Sequence, residues 1–278
     1  MIIWLASYPK SGNTWIRSLL SAYYYSESGN FSFELLKNIG LYPQKKYFDI
    51  KIDKPGEINS YWDISQKKIV SKKKTIFLKT HNSLLSLGGK NFTKPEYTLG
   101  IIYVVRDPRN VITSLKNHYD LNYEQSLNFM LNEKKYIYDI REKNDYSDFQ
   151  FLSSWSNHYK SWINNNLFKR IVIKYEDLEQ DAYQTLKNLI NYINGLCKIN
   201  EKIDEKKINN CIRSTSFEVL KNKEKKEGFS ENVYSEKTKK KIDFFHLGSK
   251  NKWKEIVPKE FHEKINNTFE KDLKNLKY

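Results

Sequence analysis

The chain is poor in cysteine, in arginine and in long apolar runs, and each shortage narrows what it can be. Its 278 residues hold two cysteines, Cys197 and Cys211, neither within a motif. A disulfide framework or a thiolate metal site therefore has no support, no metal is expected, and a reducing cytoplasm is the expected compartment. No apolar run approaches the roughly 18 residues a membrane helix needs. The opening Met1-Ile2-Ile3-Trp4-Leu5-Ala6 stops at Ser7 with no basic segment before it, so neither a signal peptide nor a membrane span is predicted. Of the 48 basic residues only six are arginine: Arg17, Arg106, Arg109, Arg141, Arg170 and Arg213. The lysine excess gives a formal charge of +15. That charge describes either a solvated lysine surface or attraction of a polyanion, such as nucleic acid or a multiply charged nucleotide. Repeats and linkers are also lacking, which predicts one domain over residues 1–278. What the chain does have is core material: 39% hydrophobic residues and 15% aromatics, with 20 Tyr and 15 Phe. Disorder is excluded on that ground.

Ile2 to Ala6 is a continuous apolar run, fit for a parallel strand buried on both faces. Ser7 to Asn13 breaks it, and Trp15, Ile16, Leu19, Leu20 and Tyr23 then recur at helical spacing. Residues 26–74 lack a period and are expected to form loops with short helices. Thr75–Lys79, Gly100–Val105 and Ile171–Ile173 read as three more strands. Helices are predicted from Pro108, through Trp155–Ile163, through Leu186–Ile193, and from Pro258 onward. The Lys-rich stretch Lys221–Lys241 reads as a mobile surface loop. Strands alternating with helices predict an α/β fold, a parallel sheet covered on both faces.

The first strand-loop-helix carries the sharpest signal. A glycine loop feeding a helix aims backbone N–H groups and the positive end of the helix dipole at an anion. Gly12 permits close approach of a phosphate, and Thr14 can cap the helix or give its hydroxyl to a ligand. The nucleotide-kinase pattern G-x-x-x-x-G-K-[ST] is not met, since Asn13 stands between Gly12 and Thr14 and the lysine lies earlier, at Lys10. Arg106 ends the third strand, where α/β sheets bind ligands, and its planar fork suits phosphate. Lys79 and His81 end the second strand two residues apart, so they point to one side. An imidazole there is a natural general base.

These segments resemble the sulfotransferases that use 3′-phosphoadenosine 5′-phosphosulfate (PAPS). Tyr8-Pro9-Lys10-Ser11-Gly12-Asn13-Thr14-Trp15 is similar to that family's 5′-phosphosulfate loop, Y-P-K-S-G-T-T-W, departing only at Asn13. Arg106-Asp107-Pro108-Arg109-Asn110-Val111 with Ser114 resembles its 3′-phosphate site, and Lys79-Thr80-His81 its K-[TS]-H tip. Lys174-Tyr175-Glu176-Asp177-Leu178 and Thr215-Ser216-Phe217 are similar to its adenine segments, which implies that Trp15 and Phe217 sandwich the ring with Tyr175 nearby. Phe244 to Lys254 resembles F-[FY]-R-K-G-x-x-G-D-W-K, keeping Phe244, Phe245, Gly248, Trp253 and Lys254. His246 and Leu247 replace the Arg-Lys pair, and Lys250, Lys252 or Lys254 is expected to take over its contact with the 3′-phosphate.

The resemblance implies a P-loop-type three-layer fold, PAPS as donor, and in-line transfer of a sulfuryl group. His81 is the implied base, and Lys10 and Lys79 the implied charge stabilisers. A P-loop kinase of nucleotides or small molecules is the rival, but it would want lysine at position 13 and an Asp ending an apolar strand to hold Mg²⁺, where here Arg106 intervenes. Asp107 is the nearest candidate. A nucleic-acid-binding module rests on charge alone, with no motif behind it, so no nucleic-acid or membrane partner is expected. The acceptor is a small molecule or carbohydrate, its pocket expected from residues 23–62, the segment after His118 and residues 222–245. The oligomeric state is not written in the sequence.

Overall fold

In the computed structural model, which describes residues 1–138, 144–235 and 237–278, the chain opens with strand β1 (Ile2–Ser7), buried throughout. The further strands are β2 (Gly40–Leu41), β3 (Ile76–Thr80), β4 (Thr98–Val105), β5 (Tyr136–Ile137), β6 (Gln150–Phe151), β7 (Arg170–Lys174), β8 (Val233–Tyr234) and β9 (Lys241–Ile242). The α-helices are α1 (Asn13–Tyr25), α2 (Trp62–Val70), α3 (Pro108–His118), α4 (Tyr123–Leu131), α5 (Trp155–Ile163), α6 (Tyr175–Gln180), α7 (Ala182–Cys197), α8 (Glu205–Ser214), α9 (Phe217–Glu227), α10 (Trp253–Ile256) and α11 (Lys259–Leu276).

A five-stranded parallel sheet in the order β2-β3-β1-β4-β7 forms the middle layer. Successive strand residues point to opposite faces, and the two cores follow that alternation. Ile2, Trp4, Ala6, Leu78, Ile101, Tyr103 and Val105 enter one core, covered by residues of α2, α3, α4, α5 and α11. Ile3, Leu5, Phe77, Ile102, Val104 and Ile173 enter the other, covered by α1, α7, α8 and α9. A continuous apolar run is what a strand buried on both faces requires. All parallel strands end at one edge of this layer. The loops after β1, β3 and β4 therefore converge there, and the pairing of Ala6 with Thr80 and with Tyr103 keeps those three ends level.

Two expectations are corrected. The sheet has a fifth strand, β2, in the stretch read as loops and short helices; two residues are too few to show a period. The stretch Lys221–Lys241 is not one loop either. Helix α9 continues to Glu227, and β8 pairs antiparallel with β9.

The central strands dominate stability. Ile102→Ala, at a fully buried position of β4, is expected to cost about 2–5 kcal/mol in urea unfolding. Val172→Ala, exposed on edge strand β7, should stay within about 0.5 kcal/mol. Equal costs would contradict the two-core description.

Candidate active site

The loop after β1 turns through two left-handed residues, Lys10 (φ 65°) and Gly12 (φ 97°), before α1 begins. Gly12 is the N-cap, so Thr14 does not cap the helix as its position suggested. A Cβ on Gly12 would lie 2.3 Å from Cδ2 of Tyr175. The glycine therefore admits this ring against the loop as well as a positive φ. Asn13 donates its amide to the Leu5 carbonyl (3.3 Å) and to Ser7 Oγ (3.1 Å), stapling the loop to β1. Its departure from the resembled motif thus serves the strand. The Ser11 hydroxyl is buried with no hydrogen-bond partner among the described residues. Lys10 places its ammonium 3.7 Å from the centre of the Phe244 ring. Burial pushes the Lys10 pKa down to about 7, against the opposing pull of Glu231 and with the help of Lys79 and Arg106.

At the tip of β3, Lys79 and His81 line the same cleft as Lys10, as their spacing predicts. His81 Nδ1 lies 2.7 Å from the Ser7 carbonyl oxygen, which can only accept, so Nδ1 carries the proton and Nε2 keeps its lone pair. Burial, then the charge of Lys79, lowers the His81 pKa to about 3, and the ring is neutral at pH 7. Its backbone is fixed from both sides. The His81 N–H donates to Gln150 Oε1 (2.7 Å), and His158 Nε2 donates to the His81 carbonyl (3.0 Å). His158 in turn accepts from Tyr103 at 2.9 Å, which makes it a structural histidine.

At the end of β4, Arg106 lies 3.3 Å from Ser114 Oγ and 4.0 Å above the Tyr175 ring. Its Nε is buried without a partner among the described residues. Asp107 caps α3 and pairs with Arg109 at 2.7 Å. Trp15 packs edge-on to Tyr175 (5.7 Å), and both line the cleft with Thr215, Phe217 and Gly248. A Cβ on Gly248 (φ 56°) would meet the Phe217 ring at 2.6 Å. The Thr215 hydroxyl turns back to the Cys211 carbonyl.

Of the three lysines expected at the 3′-phosphate, Lys254 is exposed and outside the cleft lining. Lys252 faces Glu255 at 3.7 Å, and Lys250 lines only a small neighbouring pocket. Asn251 is the residue of that segment that reaches the site. It donates to Ser114 Oγ and to the Asn110 carbonyl, both at 3.0 Å.

Glu231 is the functional-site residue that no motif announced. Its Oε1 lies 2.6 Å from Arg17 Nη1, its Oε2 2.9 Å from Lys79 Nζ, and Thr14 Oγ1 donates to it at 3.3 Å. Burial alone would raise its pKa, but Lys79 and Arg17 outweigh that and hold it at about 2. Glu231 is ionised at neutral pH, with each oxygen engaged by a cation. Nothing in the sequence separates it from the other glutamates of the Lys221–Lys241 stretch.

The cleft, of about 2140 Å³, is lined by Tyr175, Phe217 and Lys10 and also by Phe33, Leu41, Tyr119, Phe129 and Tyr136. It exceeds the roughly 300–1,000 Å³ usual for one small ligand, which leaves room for a nucleotide and an acceptor together. Among the described residues no three His, Cys, Asp or Glu side chains are grouped as a metal would need, and no helix is long and apolar enough to cross a membrane.

Three solved structures share this architecture. Retinol dehydratase in complex with androsterone and the inactive cofactor PAP superposes with TM-score 0.61 at 17% identity, over 98% of this chain and 80% of that one. Retinol dehydratase with retinol and PAP gives 0.60 at 18%, over 98% and 81%. Mouse sulfotransferase SULT7A1 with PAP gives 0.57 at 18%, over 98% and 84%. At such identities the likeness speaks to the fold. The family is carried by the sequence: residues 2–277 match the sulfotransferase domain, and with the loop, the strand tips and the cleft in view, the chain belongs to the sulfotransferase family.

Proposed function

We propose that residues 1–278 act as one sulfotransferase domain, transferring a sulfuryl group from PAPS to a hydroxyl or amine of a small-molecule or carbohydrate acceptor. One observation carries the reading. Two buried donors, Ser11 Oγ and Arg106 Nε, lack partners among the described residues, at the two positions that the resembled motifs give to the donor's 5′ and 3′ phosphates. An unpaired buried donor costs about 1–3 kcal/mol, and an anion at each position relieves that cost. The crystallised relatives named above hold PAP, the desulfonated nucleotide.

In this mechanism Arg106 and Ser114 hold the 3′-phosphate, the α1 N-terminus with Lys10 holds the 5′-phosphate, and Trp15, Tyr175 and Phe217 enclose the adenine. The acceptor is placed beside Phe33 and Phe129, which line the same cleft. Its oxygen forms the new bond to sulfur while the bond from sulfur to the 5′-phosphate oxygen breaks. His81 Nε2 takes the acceptor's proton, Lys79 faces the sulfuryl oxygens, and Lys10 meets the charge growing on the leaving phosphate. A cation about 4 Å from that charge contributes on the order of 4 kcal/mol at an effective dielectric of about 20, roughly a thousandfold in rate if it acts in the transition state alone. A bound sulfate beside His81 opposes the effect of Lys79 and brings the imidazole back toward a useful basicity. The kinase alternative is disfavoured by Asp107, whose carboxylate is engaged by Arg109 and the α3 N-terminus.

His81→Ala is expected to lower turnover by about 10²–10⁴ with PAP affinity near wild type. Full turnover on an acceptor that must be deprotonated would remove His81 from the role of base.

Calorimetry with PAP and with AMP tests the donor assignment. The wild type should prefer PAP, and Arg106→Ala should erase about 1.5–3 kcal/mol of that preference. Equal affinity of the wild type for both nucleotides would contradict the 3′ site.

The free-enzyme pH profile follows from the two shifted groups. The base His81 is active when unprotonated and its pKa is lowered, so kcat/KM for PAPS should hold below pH 6.5. Lys10 acts when protonated and its pKa is lowered to about 7, so activity should fall as pH rises through that region. A profile that only rises from pH 6 to 9 would contradict the Lys10 role.

A further inference from the structure

The mechanism leaves unexplained why a carboxylate stands among the cations meant for the donor. Glu231 belongs to a segment that is anchored independently of it. Helix α9 ends at Gly228 (φ 75°), and Phe229 then packs on Phe33 (4.9 Å), Phe244 (5.0 Å) and Phe245 (5.4 Å). The buried carboxylate of Glu224 accepts the backbone N–H groups of Phe244 (2.7 Å) and Phe245 (2.9 Å). This cap lays the Phe244 ring on Lys10 and the Glu231 carboxylate on Lys79. Both lysines assigned to the transfer are therefore met by the same segment.

We propose that Glu231 is a positioning residue, the carboxylate through which the cap holds Lys79 and Arg17 at the sulfuryl end of the donor site. The proposal rests on the PAPS reading, since it assigns Lys79 to the sulfuryl oxygens. Geometry favours a holder over a competitor for the donor. The carboxylate is engaged by three donors from two elements, α1 and β3. Arg17 and Lys79, with side chains only 9% and 6% exposed, would lose their one acidic partner among the described residues if it left. The remaining bonds of Arg17 go to the carbonyls of Ile39 and Leu36, which fix its direction but not its charge.

The same contacts govern protonation. Facing the carboxylate are Arg17 from α1, Lys79 and His81 from the β3 tip, Lys10 from the loop after β1, and His118 from the end of α3. Arg106 and Glu224 act on Lys10 in turn. Burial lowers the pKa of both Lys10 and Lys79, and Glu231 opposes it in each case. Removing that charge lowers both further. The two ammonium groups then lose their protons at lower pH than in the wild type, and with them their hold on an anion.

The test is calorimetric titration with PAP of the wild type and Glu231→Gln, near pH 6 and near pH 8.5. Near pH 8.5 the variant should bind at least tenfold more weakly, and the gap should narrow near pH 6, where more of both lysines keeps its proton. The alkaline limb of kcat/KM for PAPS should move to lower pH, and Glu231→Asp, which keeps the charge, should move it back. Tighter binding by Glu231→Gln at both pH values would make the carboxylate a competitor, and equal binding at both would leave it without a role; either overturns the proposal. A wild-type crystal with PAP needs no variant to fold. Lys79 and Glu231 still in contact there supports the holder, and a carboxylate swung away overturns it. A wild type that binds no PAP sinks the donor reading and this proposal with it. A wild type that binds PAP while the variant matches it sinks the proposal alone.

Discussion

Four cations converging on one partly buried cleft set the terms for the rest of this structure. Lys10, Arg17, Lys79 and Arg106 come from different elements and repel one another. Two unit charges about 8 Å apart do so by about 2 kcal/mol at an effective dielectric of about 20. Such a cluster persists because each member has a local support. Arg17 is held by Glu231 and two carbonyls, Lys79 by Glu231, Arg106 by the Tyr175 face, and Lys10 by the Phe244 face. The supports oppose the repulsion, and among the described residues Arg106 Nε and Ser11 Oγ stay without a partner.

The sheet is what makes the convergence possible. β1, β3 and β4 run parallel and end together, so the loop after β1, the Lys79–His81 tip and Arg106 share one edge although they are far apart in the chain. The charge of +15 is better understood locally in this light. A few buried cations define the cleft, whereas most lysines are exposed.

β1, β3 and β4 were legible because burial on both faces demands unbroken apolar runs, edge strand β7 because Ile171–Ile173 is one such short run, and the helices flanking them because their apolar stripes recur at 3.6 residues. The motif loops were legible because phosphate recognition requires a glycine loop, a helix N-terminus and a forked cation in fixed places. β2 escaped because two residues carry no period. The cap was misread because its lysines suggest solvent, while its order comes from Phe229, Glu224 and Glu231 reaching partners distant in sequence. Asn251 escaped for the same reason. Its role depends on meeting Ser114, 137 residues away. Lys254, kept from the resembled motif, stays exposed outside the cleft, since a side chain can match a pattern whose backbone faces elsewhere.

The central claim is that this cleft moves a sulfuryl group using its own cations and one neutral imidazole. Its most direct test is to follow ³⁵S from labelled PAPS in the presence of EDTA and a panel of phenols, alcohols, amines and saccharides, measuring labelled product and PAP together. The account predicts equal amounts of PAP and of one labelled sulfated acceptor, undiminished by EDTA. Label that never leaves PAPS with any acceptor while PAP still binds, or transfer of the γ-phosphate of ATP in its place, would contradict it.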